Sequence, residues 1–537
     1  MNSVYAIFRE SAAGFPDHDF LAVPPLPSRR YHATGWTITY AEALDEVERI
    51  RKPFLDAGYG VGHRVGLLFE NRPEHLLHFL ALNALGVSIV PINPDYRRDE
   101  IRYLMEHSEL ELTLTLPERV EALREAAREV PGQPPVLASL DALPRPRTPR
   151  RDEVPSAATE ASLLYTSGTT GRPKGCILTN DYHVTVGRTY LECGGLVTIR
   201  RGEERIYNPL PLFHMNAGIF SFMCMMMSGG CAILPDRFHP QSWWQEIGDS
   251  RATIIHYLGV VPAMLLKLPG SPLERAHRVR YGVGAGVEPE LHGAFEARFG
   301  FPLIELWGMT ETGGGFVAKD EPRRIDTRAI GRPGKRAGLD LEARIVDDHE
   351  VEVPLGEAGE LLVRRLGPLP RAGLFSGYLK NGAATAEAWR GGWFHTGDVA
   401  RQDESGMIFF VDRKKNIIRR SGENIAAAEV EATLLAHDQV AQAAVLAVPD
   451  EIRGEEVMAC IVVKAGIPPS PALAGSLFDW CNERLAYYKP PGWILFLDRL
   501  PTTGTQKIQK SQIFAPGEDP CRRAGAIDLR RRKRRGS

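Results

Sequence analysis

No two cysteines in the 537-residue chain are spaced Cys-x-x-Cys. The seven present, Cys176, Cys193, Cys224, Cys231, Cys460, Cys481 and Cys521, make an odd number. Both facts argue against a disulfide framework and against a zinc site, and favour a reducing compartment. Long apolar runs are also missing. The most hydrophobic stretch, "LLHFLALNALGVSIVPI", is interrupted by His78, Asn83, Gly86 and Pro91, so it reads as a buried helix followed by a strand and not as a membrane span. The first twenty residues carry charges where a signal peptide needs an apolar stretch, and a cytoplasmic location is expected. A surplus of one charge is lacking as well. The net charge is -2: residues 522–535 carry +7, which leaves -9 for the rest. A mildly acidic body is not a nucleic-acid surface, so no nucleic-acid partner is expected. The basic end is expected to be a solvated, disordered tail, residues 517–537, with a loose contact to an anionic surface as the second reading.

Several catalytic signatures are absent too. There is no His-Glu-x-x-His and no Gly-x-Ser-x-Gly. Gly168, Gly171 and Lys174 do not have Walker A spacing. Gly282, Gly284 and Gly286 alternate, but Val287 occupies the last glycine slot of a dinucleotide fingerprint. What is present is ordinary globular material: 43% hydrophobic and 25% charged residues, enough for large cores in about three or four structural units. "TYAEALDEVERIRKPFLDAG" has helical spacing and ends at Gly58. "HRVGLLFEN" predicts a strand, "RPEHLLHFLALNALG" a helix and "VSIVPIN" a strand. "CAILP", "ATIIHYL" and "RYGVG" continue the alternation. Such alternation means an α/β architecture. Past about residue 330, "LEARIVDD", "GELLVRR" and "GMIFFVDR" predict a β-rich part. From residue 417, helix, two strands and helix predict a small α+β domain. The expected division is a large domain over 1–411, a hinge over 412–416, a mobile small domain over 417–516 and the basic tail.

Five stretches could carry chemistry. "LLYTSGTTGRPKGCILTN" places Thr166, Ser167, Gly168, Thr169, Thr170, Gly171 and Lys174 in one loop. It reads either as a flexible turn or as a phosphate cradle, in which backbone N–H groups, hydroxyls and one ammonium meet an anion. "IELWGMTETGGG" offers the ring of Trp307, the hydroxyl of Thr310 and the carboxylate of Glu311, which suit a base, a phosphate and Mg²⁺ in turn; a buried Trp beside a polar turn is the plainer account. "GGWFHTGDVA" delivers Asp398, able to accept from two ribose hydroxyls, or a simple Gly-Asp turn. "VDRKKNIIRRSGENIAAAEVE" has Arg413, Lys414 and Lys415 at the join between domains. "LPTTGTQKIQKSQI" presents Lys507 and Lys510 from a Thr/Gly-rich loop.

Taken together and in this order, "YTSGTTGRPKG", "WGMTE", "HTGD", "DRKKNIIRRSGENI" and "TGTQKIQK" resemble the adenylate-forming superfamily of acyl-CoA synthetases, luciferases and nonribosomal-peptide adenylation domains. The resemblance covers all but about the last 20 residues. It implies an enzyme that joins a small carboxylic acid to AMP, expelling diphosphate, and then passes the acyl group to a thiol. ATP, Mg²⁺ and CoA are the implied cofactors. By the same resemblance the loop from Thr166 to Lys174 grips the phosphates, Glu311 helps hold the metal and Thr310 touches phosphate. Trp307 takes the place usually held by Tyr. Gly284, Ala285 and Gly286 run along adenine and the acyl tunnel, and Asp398 and Arg413 hold the ribose.

Lys507 bridges the carboxylate and the α-phosphate, although Gln506 stands where the family usually has Gly. Lys415 marks the hinge, and the loop with Gly422 meets the pantetheine arm. His214 in "PLFHMNAG" is implied to shape the carboxylate and thiol approach; a satisfied core histidine is the alternative. Met223, Met225, Met226 and Met227 read as core before acyl pocket. Two other functions stay open: an enzyme loading an acyl carrier protein, and a non-catalytic nucleotide-binding homologue. The acid is open among medium-chain, carnitine-like, branched and aromatic types, and so is a homodimer.

Overall fold

Helix signals and strand signals fall where the patterning places them. Thr39 and Glu42 form a reciprocal cap: the Thr39 hydroxyl accepts from the Glu42 N–H at 3.2 Å, and the Glu42 carboxylate accepts from the Thr39 N–H at 2.9 Å. That cap opens helix Tyr40–Ala57, which Gly58 ends in a left-handed conformation at φ 94°. The computed structural model describes residues 3–166, 172–287, 289–323, 325, 327–347, 349–413, 417–501, 508, 510, 513–515 and 517–534. The chain forms two compact units. The larger comprises Met1–Asn93, Met105–Leu164 and Gly175–Lys414. The smaller comprises Pro94–Leu104, Tyr165–Lys174 and Lys415–Ser537.

The larger unit is α/β with a β-rich part. Its eight-stranded sheet runs in the order Phe316–Val317, Leu303–Trp307, Tyr281–Ala285, Ile254–Leu258, Arg205–Tyr207, Cys231–Ile233, Asp19–Val23, Trp36–Thr39. The inner pairings are parallel and the two outermost are antiparallel. A seven-stranded sheet is built around Ser88–Pro91, Arg64–Leu68 and Leu112–Thr115. It ends on one side with Glu160–Thr166, Lys174–Thr179 and Gly377–Tyr378. Residues 329–413 make a five-stranded antiparallel sheet.

Parallel strands buried on both faces read as continuous apolar runs, which is why "ATIIHYL" and "VSIVP" show little alternation. The methionine-rich segment is core. Met223, Met225 and Met226 are fully buried in helix Phe222–Ser228, and Gly187 lets helix Asn180–Leu191 approach so closely that a Cβ there would lie 2.7 Å from Met223. Among the described residues no helix is long and apolar enough to cross a membrane.

The smaller unit has its own core, drawn from Ile418, Ile425, Val430, Val445, Val457, Leu477 and Ile494 among others. Val440–Asp450 pairs with Gly454–Val463 along almost its full length, and helix Pro471–Arg484 contributes to the same core.

One expectation needs correction. The basic C-terminal segment is not a disordered tail. Ile527–Asp528 adds an antiparallel strand beside Trp493–Phe496, and Leu529 is buried in the small unit's core. Part of the positive run is paired with carboxylates. Arg530 pairs with Asp528 and Asp450, and Arg532 with Asp479 at 2.8 Å. One apolar anchor and matched carboxylates supply what composition alone did not reveal.

Candidate active site

Trp307 and the Gly284–Gly286 run lie at the carboxyl ends of adjacent parallel strands. In open α/β sheets this is where ligands bind. Strand Leu303–Trp307 ends at Trp307, which is 6% exposed. Its indole N–H donates to Asp398 Oδ2 at 2.8 Å. Its ring lies against Phe316, centroids 5.4 Å apart at 21°. One face and the N–H edge of Trp307 are therefore committed, and Asp398 comes to it from a different sheet. Asp398 is 2% exposed. It follows Gly397 (φ 70°), its N–H donates to Thr396 Oγ1, and its Cα faces that of Arg413 across the strand pair. The sequence motifs "WGMTE" and "HTGD" thus meet through the Trp307–Asp398 hydrogen bond.

The turn after Trp307 is pinned at several points. The Tyr182 hydroxyl donates to the Thr310 carbonyl at 2.7 Å, and the Met309 N–H donates to Thr312 Oγ1 at 3.2 Å. The Phe375 N–H donates to the Glu311 carbonyl at 3.0 Å. The Tyr378 hydroxyl donates to Glu311 Oε1 at 2.9 Å. Burial and then the Glu311 charge push the Tyr378 phenol well above its ordinary value, so it stays a donor. Sequence reasoning missed Tyr378. Its strand, Gly377–Tyr378, pairs with Lys174–Thr179, the strand that leaves the glycine-rich loop.

Glu311 suits Mg²⁺ chemically. It is a hard oxygen donor with one oxygen steadied by a neutral hydroxyl, and Mg²⁺ is commonly held by one or two carboxylates with substrate phosphates completing the shell. Among the described residues there is no cluster of three or more His, Cys, Asp or Glu that could hold a metal by itself.

Gly284, Ala285 and Gly286 close strand Tyr281–Ala285. Packing within the protein already requires the first glycine: a Cβ at Gly284 would lie 2.3 Å from the Tyr257 carbonyl. Gly286, at φ 82°, directs its N–H to Glu305 Oε2 at 2.8 Å. Glu305 also accepts from the Tyr257 hydroxyl at 2.9 Å. Burial raises its carboxyl above the usual range. A carboxylate inside the apolar run "LIELW" was the available signal for this anchor.

His214 is half-buried, in the turn before a π-helical segment, Asn216–Ser221. Such segments often mark functional positions. It is not a fully buried core histidine. The buried histidine here is His256, whose Nδ1 pairs with Asn216 Oδ1 at 2.8 Å; the same oxygen accepts from Asn208 Nδ2 at 3.0 Å. Tyr190 meets His256 Nε2 at 3.2 Å. Burial holds His256 down to about 3, so it is neutral. These polar residues inside apolar strands and turns were also missed.

Thr166 and Lys174 end and begin the strands that flank the loop, and they belong to the smaller unit. Ser167, Gly168, Thr169, Thr170, Gly171, Lys415 and Lys507 lie outside the described residues, and so does the side chain of Arg413. In the smaller unit, Ile417–Arg420 and Glu423–Ala426 form a hairpin closed by Ser421 (φ 52°) and Gly422 (φ 88°). Two successive positive φ values make the tight hairpin turn that Gly favours.

The AMP-binding enzyme family model matches residues 8–379, and the AMP-binding enzyme C-terminal domain model matches residues 429–507. The chain is 31% identical over 528 residues to a sulfoacetate–CoA ligase of Cupriavidus necator, covering 96% of this chain and 97% of that one. It is 29% identical over 500 residues to a crotonobetaine/carnitine–CoA ligase of Citrobacter koseri, covering 88% and 92%. Its fold is similar to an o-succinylbenzoate CoA synthetase of Bacillus subtilis solved with a product analogue. That match has a TM-score of 0.79 and 26% identity, covering 94% and 97%.

Proposed function

The chain belongs to the AMP-binding enzyme family, and from that premise we propose how its residues carry out ATP-dependent acyl-CoA ligation and which acids it accepts. As an AMP-forming ligase it converts a carboxylic acid, ATP and CoA to acyl-CoA, AMP and diphosphate through an acyl-adenylate.

The observation that carries the residue assignment is the Trp307–Asp398 hydrogen bond. It orients a buried carboxylate at the mouth of the sheet, where Asp398 accepts from the ribose hydroxyls. The remaining face of Trp307 lies beside the base. Glu311, steadied by Tyr378, holds Mg²⁺, which neutralises phosphate charge when bound. Gly284 to Gly286 form a wall that Glu305 keeps still. The loop from Thr166 to Lys174 holds the phosphates. Lys507 draws the substrate carboxylate toward the α-phosphorus: the carboxylate oxygen attacks, and diphosphate leaves with the bonding electrons. In the second half-reaction the small unit re-poses about Lys415 and presents the Ser421–Gly422 turn to the pantetheine arm. The thiol then attacks the acyl carbon and AMP departs.

The acid is short and carries a second polar group. Supporting this are the sulfoacetate and crotonobetaine/carnitine activities named for the similar ligases and the Asn216–His256–Asn208 network beside the π-helical turn. A long apolar chain does not favour polar side chains along its path.

The test is labelled-diphosphate exchange into ATP across a panel of acids, followed by CoA-dependent AMP release. Short acids bearing a sulfonate, a second carboxylate or a quaternary amine should support exchange, and unbranched medium-chain acids should not. The reverse ranking overturns the substrate class. Exchange at background with every acid overturns the adenylation itself.

A further inference from the structure

The C-terminal segment reaches the carboxylate that holds the turn end of the Ile417–Ala426 hairpin. Leu529 donates its N–H to the Gly492 carbonyl at 2.8 Å. Four residues on, the Lys533 side chain is fully buried. Its amine donates to the Tyr488 carbonyl at 3.0 Å and to Glu456 Oε1. Glu456 is itself fully buried. Its other oxygen accepts from Arg420 Nε at 2.7 Å, and Oε1 also accepts from the Val457 N–H at 2.7 Å. Arg420 is the last residue of the hairpin's first strand, immediately before Ser421 and Gly422.

The arrangement is built into the backbone. A Cβ at Gly492 would lie 2.5 Å from the Glu456 carboxyl carbon, so a glycine is needed for Glu456 to occupy its place. The neighbouring register adds two contacts. The Ser421 N–H donates to the Arg453 carbonyl at 3.0 Å, and the Arg419 N–H to Glu455 Oε2 at 2.5 Å.

We propose that Lys533 is a positioning residue for thiol transfer: acting through Glu456 and Arg420, it fixes the posture of the turn at Ser421–Gly422. The physical reason is the cost of an incompletely satisfied buried carboxylate. Without the lysine amine, Glu456 loses one of its donors in a site closed to water. The remaining partner able to follow it is Arg420, whose movement carries the turn. This proposal rests on the assignment of that turn to the thiol step.

The experiment uses the full chain with Lys533→Met, and with Lys533→Gln, which keeps a donor for the Tyr488 carbonyl but removes the charge. Adenylation is read by diphosphate exchange, and thiol transfer by single-turnover acyl-CoA formation from preformed adenylate. The Met variant should lose about tenfold in the thiol step, the scale on which small misplacements act. Exchange should stay within about twofold, with Gln intermediate. Amide hydrogen exchange provides a second readout that needs no substrate. In Lys533→Met, residues 418–425 should exchange faster while helix Pro471–Arg484 is unchanged. If both half-reactions fall equally, or hairpin exchange does not change, Lys533 is only a structural residue and the proposal fails. Faster hairpin exchange with no thioester formed by the wild type would instead fault the assigned reaction and keep the mechanical link. If neither variant folds, Lys533 is a stability residue and the positioning role is overturned.

Discussion

The two units hold their key carboxylates in opposite ways. In the larger unit, Glu305 accepts from backbone N–H groups and the Tyr257 hydroxyl, Glu311 from the Tyr378 hydroxyl, and Asp398 from the Trp307 N–H. Neutral donors orient these groups without cancelling their charge. In the smaller unit, Glu456 sits between Arg420 and Lys533, and Lys489 lies 2.6 Å from Glu100 and 2.9 Å from Glu429. There ionisable side chains partner one another directly. A carboxylate steadied by a neutral hydroxyl still attracts a cation or a ribose hydroxyl. One that already holds an arginine and a lysine is structural. On the proposed function the same residue type serves chemistry in one unit and scaffolding in the other, and the partner decides which.

The largest expected effect tests the chemistry side of that contrast. Lys507→Ala should reduce adenylation by about 10²-fold or more, the usual cost of losing a preorganised charge at a reacting centre. Diphosphate release near the wild-type rate would remove Lys507 from the role. Next, Lys415→Pro should leave diphosphate exchange nearly intact while thioester formation falls by about tenfold or more, because a stiffened joint spares one pose and hinders the other. Equal losses in both would dissolve the division of labour between the units. Glu311→Gln keeps the Tyr378 contact in shape but removes the charge. The Mg²⁺ concentration for half-maximal exchange should rise about tenfold, and an unchanged Mg²⁺ titration would place the metal elsewhere.

Most of the architecture was legible in the sequence, because buried parallel strands and amphipathic helices write themselves as apolar runs and helical spacing. Helix Tyr40–Ala57 and strands Ile254–Leu258 and Leu341–Val346 lie inside the stretches expected for them. Motif order also picked out Trp307 and Asp398, which the fold brings into hydrogen-bond contact. What escaped was pairing at a distance. Nothing in "FSGYLKN" indicates that Tyr378 meets a carboxylate 67 residues earlier in the chain. The C-terminal error has the same origin. Eight basic residues in fourteen look like a solvated run until Asp450 and Asp479, far away in sequence, are seen to pair with Arg530 and Arg532.

A smaller effect sharpens the nucleotide side. Trp307→Phe keeps an aromatic face against Phe316 but deletes the donor to Asp398. Hydrogen bonds to charged groups are worth about 1.5–3 kcal/mol, so the KM for ATP should rise about tenfold with kcat less affected. A fall in kcat at constant KM would mean that the indole acts in the transition state and does not merely orient a ribose ligand.

The smallest effect is a slope. Burial holds the Lys533 amine down to about 7 against the opposing pull of Glu456, and Arg420 and Arg453 lower it further. From about 7 up to the ordinary lysine value, the unfolded chain binds a proton that the folded site does not. Stability from this group therefore rises with pH across that window. It is lost as pH falls toward 7 and changes no further below it. Cys481, a thiol that also senses Lys533, is pushed up to about 12 by burial. It works the opposite way above the ordinary thiol range, so the comparison belongs at about pH 7.5 and about pH 8.5. Denaturant midpoints of the full chain should rise less between those two values in Lys533→Met than in the wild type. Equal slopes would mean that the amine keeps its charge when buried. Lys533 would then be a full partner of Glu456 at neutral pH, and the two units would differ still more in how they treat a buried carboxylate.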